Sequence, residues 1–286
     1  MTKTELPAAA GHRVPDRLLR MLQACGDAGS PRFPATEVFN EGWMLRLLLD
    51  AFQQLAIQDH PLSFAEGSSW YSEARLLSPF RPRLRPDPLG EGFTNADAVI
   101  GHFDFHEATR AGMRLLPGAQ QFIVIEAKLL SDLSKGTRNA PAYDQAARNV
   151  ACMAEAVARA GLPLEAMVGL GFYVIAPERS RRRPSQRLLD TAVTVEAIGE
   201  AVRARVAGYA IAGRAEAAEL AAWEASMLKP LLERMAEQGA LQVLTWEACI
   251  GRVVQEDPRW GAELLAFYER ALELAVLQPG LGEMSS

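Results

Sequence analysis

Gln121-Phe122-Ile123-Val124-Ile125-Glu126-Ala127-Lys128-Leu129 runs an apolar segment suited to a doubly covered strand straight into two opposite charges. Side chains alternate along an extended strand, so Glu126 and Lys128 emerge on one face, beside Phe122 and Val124. Charge at the end of a buried strand is costly unless it is paired or put to use. That tension marks the segment as a candidate site.

Working outward, residues 94–103 read as a preceding strand that carries Asp97. The polar stretch after it ends in the turn signal Pro117-Gly118. Asp97 and Glu126 are thereby expected on neighbouring antiparallel strands. Further upstream, residues 35–58 have helical periodicity, with Thr36 as the expected cap and Leu45, Leu48 and Phe52 as the apolar stripe. Glu41 falls one turn before Leu45 on the inward side, whereas Glu37 reads as an exposed acid at the helix start. Residues 69–80 read as a strand or strand-like edge. It ends in alternating Pro and Arg (Arg81, Arg83, Arg85), which cannot continue a sheet.

Downstream of Lys128 a polar stretch leads into a helix over residues 142–160. Ala146, Val150, Met153 and Val157 form its buried stripe, and Gln145 and Asn149 share an adjacent polar face. Gly161-Leu162-Pro163 stops it, and residues 166–176 have the near-continuous apolar character of a central strand. The remainder, from residue 194, reads as helical. The expected organisation is an N-terminal arm (1–34) with a short amphipathic piece capped by Asp16, an α/β core (35–190) and a helical extension (191–286).

The balance of 30 basic and 35 acidic residues, net charge -5, argues against a protein coated in positive charge for nucleic acid. It leaves room for local basic tracks. Arg81, Arg83 and Arg85 form one candidate, and Arg181, Arg182 and Arg183 a second; guanidinium forks suit phosphate. A solvated surface is the alternative for both. Cys25, Cys152 and Cys249 form no CxxC pair, which suits a reducing compartment and argues against a disulfide framework or a four-cysteine metal site. With no apolar run of signal-peptide length at the start, and none of the ~20 residues needed to span a bilayer, a soluble cytoplasmic protein is expected. His102, Asp104 and His106 alternate as metal ligands could, but read better as a polar solvent face. Gly169-Leu170-Gly171 lacks the third glycine of a dinucleotide fingerprint. Neither a Walker loop nor a Gly-x-Ser-x-Gly elbow is present.

The order helix, three strands, helix, strand, with Asp97 followed by Glu126-Ala127-Lys128, resembles the PD-(D/E)xK nuclease superfamily, the restriction-endonuclease-like fold. The resemblance covers residues 35–178. Asn95-Ala96-Asp97 stands where that family has Pro-Asp, so the proline is missing. The resemblance implies that Glu41, Asp97, Glu126 and the Ala127 carbonyl hold a metal. It also implies that Lys128 sits beside an attacking water and that Gln145 orients Lys128 or that water.

Converging carboxylates raise one another's pKa, and a divalent cation reverses that balance. Hard oxygen ligands favour Mg²⁺, with Mn²⁺ as a substitute. The expectation is a Mg²⁺-dependent deoxyribonuclease, an endonuclease of bacterial DNA repair or defence. Its helical extension would serve recognition, homodimerisation or docking of a protein partner. The alternative is a catalytically inactive module of the same fold that binds nucleic acid or protein. A third reading is an unrelated α/β protein in which Glu126 and Lys128 form a structural ion pair.

Overall fold

A computed structural model describes residues 14–26, 33–105, 112–136, 140–178 and 187–277. Its centre is a five-stranded mixed sheet in the order β1 (Ser69–Leu77), β2 (Phe93–Gly101), β5 (Gln121–Ala127), β6 (Gly169–Ala176), β7 (Leu241–Thr245). The pairs β1–β2 and β2–β5 are antiparallel; β5–β6 and β6–β7 are parallel. A small hairpin of β3 (Phe103–Phe105) and β4 (Met113–Leu115) projects from the connection between β2 and β5.

Parallel neighbours require a crossover. Between β5 and β6 it is α3 (Gln145–Ala160), and its predicted stripe Ala146, Val150, Met153 and Val157 is fully buried. Asp144 caps this helix by accepting the Ala147 N–H at 2.9 Å, and Gly161 ends it at φ 62°. There a residue without Cβ enters the left-handed region at no steric penalty. The crossover between β6 and β7 carries α4 (Arg187–Ala192), α5 (Val195–Ile211), α6 (Ala217–Trp223), a π-helical turn and α7 (Lys229–Glu237).

Helix α2 (Glu41–Gln54) starts later than its periodicity predicts. Residues Ala35–Glu37 form a separate 3-10 turn, and Asn40 rather than Thr36 is the cap, accepting the Trp43 N–H at 3.0 Å. Such a cap contributes about 1 kcal/mol. Met44, Leu45, Leu48, Leu49 and Phe52 on this helix are wholly buried. In the N-terminal segment, α1 (Val14–Gly26) extends past the predicted piece, so Asp16 lies inside its first turn. Leu18, Leu19, Met21 and Leu22 on it are exposed.

The C-terminal part is not wholly helical. Leu241–Thr245 joins the sheet beside β6, with Val174 facing Val243. Two further helices, α8 (Trp246–Glu256) and α9 (Pro258–Leu277), then pack against α2, while α5 packs against α3. Trp246 is fully buried, and its indole N–H donates to the Lys128 carbonyl at 2.8 Å. Among the described residues no helix is long and apolar enough to cross a membrane.

Candidate active site

The candidate site lies where two strands part. The β2–β5 ladder runs from Gly101↔Phe122 to Ala98↔Ile125 and stops. One further step would set Asp97 opposite Glu126. Instead the Asp97 carboxylate takes the place of a backbone partner, its Oδ2 accepting the Ala127 N–H at 2.7 Å. A buried N–H left without that acceptor would cost on the order of 1–3 kcal/mol. On the other side β5 stays in register with β6, pairing Ala127 with Ile175. The Lys128 N–H then donates to the Ile175 carbonyl at 2.8 Å. With its carbonyl held by Trp246, the backbone of Lys128 is clamped at both ends.

Glu126 is 1% exposed. Its Oε1 accepts from Lys128 Nζ at 2.8 Å and from Gln145 Nε2, and its Oε2 accepts from Asn149 Nδ2 at 3.2 Å. Burial pushes its pKa well above the usual carboxylate range. Asp97, within hydrogen-bonding reach, pushes it further, and Lys128 opposes both. Burial works against charge on Lys128 too, but Glu126, Asp97 and Glu41 outweigh it and raise its pKa, so the amine is a cation at neutral pH. In this state Lys128 is a donor and a positive charge, not a base.

Glu41, at the first position of α2, accepts the Leu129 N–H on Oε2 at 3.0 Å. Its pKa is raised by burial, against the pull of Lys128 and the Leu129 amide and with a push from Asp97. Gln145 is tied at both ends, since its Oε1 accepts the Ser134 N–H at 3.0 Å. Four elements and the turn after β5 therefore meet around one cluster of carboxylates.

Three residues here were not foreseen as site residues. Asn149 was placed on the polar face beside Gln145, and that i, i+4 spacing is the signal that could have found it. Its Oδ1 is buried without a partner among the described residues. Trp246 lies far downstream and carries no local signal. Glu73 stands opposite Asp97, between the pairs Ser72↔Ala98 and Ala74↔Ala96. Its φ of 58° is one that a residue with a Cβ adopts at a cost of about 1 kcal/mol or more. Its pKa is raised by burial and by Asp97, while Arg46 at 3.7 Å opposes.

Glu41, Glu73 and Asp97 line a cleft of about 620 Å³ together with Trp43, Arg46 and Ser131, and Glu126 and Lys128 lie buried behind them. As the side chains stand, no group of three or more His, Cys, Asp or Glu among the described residues has metal-holding spacing. The hydrogen bonds supply a reason. Asp97 and Glu41 each spend one oxygen on a backbone amide, and both oxygens of Glu126 are occupied. The donor set nevertheless fits a hard cation. Asp97 and Glu41 each have a second oxygen, and Asn149 Oδ1 is a buried acceptor without a partner among the described residues. Asp97 raises the pKa of both Glu41 and Glu126, a repulsion that a bound cation would relieve.

Of the expected arginine tracks, Arg81, Arg83 and Arg85 do not line this cleft. Arg81, Arg83 and Arg85 are exposed on the β1–β2 connection, and Arg83 pairs with Glu219 of α6 at 3.3 Å. Arg214 holds the same connection through Asp87, at 2.9 and 3.0 Å. Arg181, Arg182 and Arg183 lie outside the described residues, as does His106. His102 contacts the Glu66 carbonyl at 2.9 Å and Asp104 pairs with Arg114 at 3.3 Å, both surface-structural uses.

Because burial and Asp97 raise the pKa of Glu126 and Glu41, a cation that takes them as ligands competes with protons as pH falls. Mg²⁺ affinity is expected to rise with pH from the ordinary carboxylate range upward. Titration calorimetry in two buffers of different ionisation heat, run in the lower part of that pH range, should reveal proton release on binding. Heats independent of buffer would show the carboxylates already ionised and remove this account of the cluster. Comparison with protein-family models, with curated proteins and with solved structures returns no match.

Proposed function

We propose that the chain is a Mg²⁺-dependent nuclease that hydrolyses phosphodiester bonds of DNA, with a core of the PD-(D/E)xK kind. The observation that carries this is the parting of β2 from β5 at Asp97 and Glu126, with the Lys128 ammonium on Glu126 and Glu41 arriving from α2. A structural ion pair needs none of the neighbouring carboxylates. Asp97 raises the pKa of both Glu41 and Glu126, a destabilising arrangement that a purely structural role leaves without a reason.

Asp97, Glu41 and Glu126 would hold the ion, with the Ala127 main chain alongside. A bound Mg²⁺ would polarise a phosphoryl oxygen and acidify a water. Lys128, held cationic and clamped through its own backbone, directs positive charge at the phosphate and donates a hydrogen bond to the water or the leaving oxygen. Gln145 and Asn149 keep the Glu126 carboxylate in one orientation, and Gln145 couples it to the turn at Ser134. None of these roles requires Lys128 to lose its proton.

Incubation with plasmid and single-stranded DNA tests the proposal. Cleavage is expected with Mg²⁺ or Mn²⁺ and is expected to stop when EDTA is added. Binding that weakens steeply with salt, with no cleavage under any divalent cation, would instead identify an inactive binding module.

A further inference from the structure

We infer that Trp43 and Arg46 clamp an unpaired nucleotide beside the carboxylates, so that the substrate of this cleft is single-stranded or locally unpaired DNA rather than intact duplex. The inference rests on the nuclease reading above and adds to it the form of DNA that the cleft accepts.

Trp43 lies in the first turn of α2, two residues after Glu41, and lines the same cleft as Asp97. Its neighbours Met44 and Leu45 are fully buried, yet Trp43 is 40% exposed, whereas Trp246 is wholly buried and Trp70, Trp223 and Trp260 are half-buried. The Arg46 guanidinium lies over the Trp43 ring, 5.0 Å from its centre. Arg46 is itself held from β1, with its Nε donating to Ser72 Oγ at 2.9 Å and a terminal nitrogen 3.7 Å from Glu73. One face of the indole is thus backed by a fixed cation, and the exposed remainder looks into the cleft.

Charge decides what such a cleft can hold. Glu41, Glu73 and Asp97 line it, and Arg46 is the one Lys or Arg on its described lining. A single guanidinium already engaged by Ser72 and Glu73 does not supply the row of phosphate contacts that draws in a duplex. Stacking does not depend on phosphate charge, and every base has a face that an indole can cover. Inside a duplex both faces of a base are covered by its neighbours, so stacking on Trp43 requires a base that is unpaired or turned out.

The probes are an oligothymidylate single strand and the matching duplex, with Ca²⁺ in place of Mg²⁺ and tryptophan emission as the readout. For the unsubstituted chain the single strand is expected to quench emission to saturation. Trp43→Phe should remove that quench while holding affinity within about threefold, since phenylalanine still stacks. Trp43→Ala should weaken single-strand binding about tenfold or more and leave duplex binding unchanged. A quench that survives Trp43→Phe, or an alanine variant that binds the single strand as tightly as the parent, would overturn the inference. Duplex cleavage by a chain that shows either result leaves the nuclease reading standing without this inference. A chain that neither binds nor cleaves DNA overturns both.

Discussion

Lys128→Met is expected to lower metal-dependent cleavage by about 10²–10³-fold, the usual cost of removing one preorganised donor aimed at transition-state charge. Methionine keeps most of the apolar stem and removes the charge. That choice matters because Lys128 is 7% exposed and its stem contributes packing as well as charge. Deleting one partner of a buried ion pair usually costs about 3–5 kcal/mol, because the other charge is stranded. Here the loss should fall below that range. Glu126 has a raised pKa and can take up a proton, and Gln145 and Asn149 still hydrogen-bond its carboxyl group. A variant that stays folded by circular dichroism and has lost cleavage separates chemistry from architecture. A folded Lys128→Met variant that cleaves at the parent rate would reduce Lys128 to a structural counter-ion.

The parts of the fold with their own periodicity were legible in the sequence. The Gln121–Ala127 strand is buried along its whole length, as its run of β-branched and aromatic residues predicts. The stripe of α3 and the inward position of Glu41 follow from a 3.6-residue period alone. What escaped was imposed by partners. Leu241–Thr245 is a short, half-exposed segment after a Gly-Ala break, and its strand state depends on the open edge of β6. Thr36 is the cap the periodicity suggests, and the separate 3-10 turn at Ala35–Glu37 moves the helix start to Asn40. Glu73 lies in a strand, where alternation is the only expectation. Its positive φ arises where the β1–β2 ladder passes Asp97. Two of the three residues that hold the Glu126 carboxylate were named from sequence, Lys128 and Gln145; the third, Asn149, was seen only as its helix neighbour.

Asp97→Asn should act in opposite directions on stability and on activity. Asparagine preserves the geometry, because its Oδ1 can still accept the Ala127 N–H that Asp97 now holds at 2.7 Å. It removes a negative charge that raises the pKa of Glu126, Glu41 and Glu73. Those three repulsions are set against the one attraction lost to Lys128, which keeps Glu126 and Glu41 as partners. A carboxyl group whose folded pKa is raised imposes no penalty below its unfolded pKa, near 4. The penalty grows as pH rises toward the folded value, because the unfolded chain ionises first. The metal-free variant should therefore be more stable than the parent at pH 7, by on the order of 1 kcal/mol, since one pKa unit is worth about 1.4 kcal/mol. Glu73, being more exposed, adds little of this. In a chain of this size the gain is a rise of roughly 2–4 °C in melting temperature, and it should vanish toward pH 4. Activity should move the other way. On the proposed function, losing a ligand to an ion that would stabilise transition-state charge by several kcal/mol predicts at least about a 10²-fold fall in cleavage. Mg²⁺ should raise the melting temperature of the parent and leave that of the variant unmoved. A metal-free variant that melts below the parent at pH 7 would make Asp97 a structural acceptor for Ala127 and nothing more. A destabilising charge retained at the parting of two strands is what a cation site requires, and this one substitution measures both sides of that requirement.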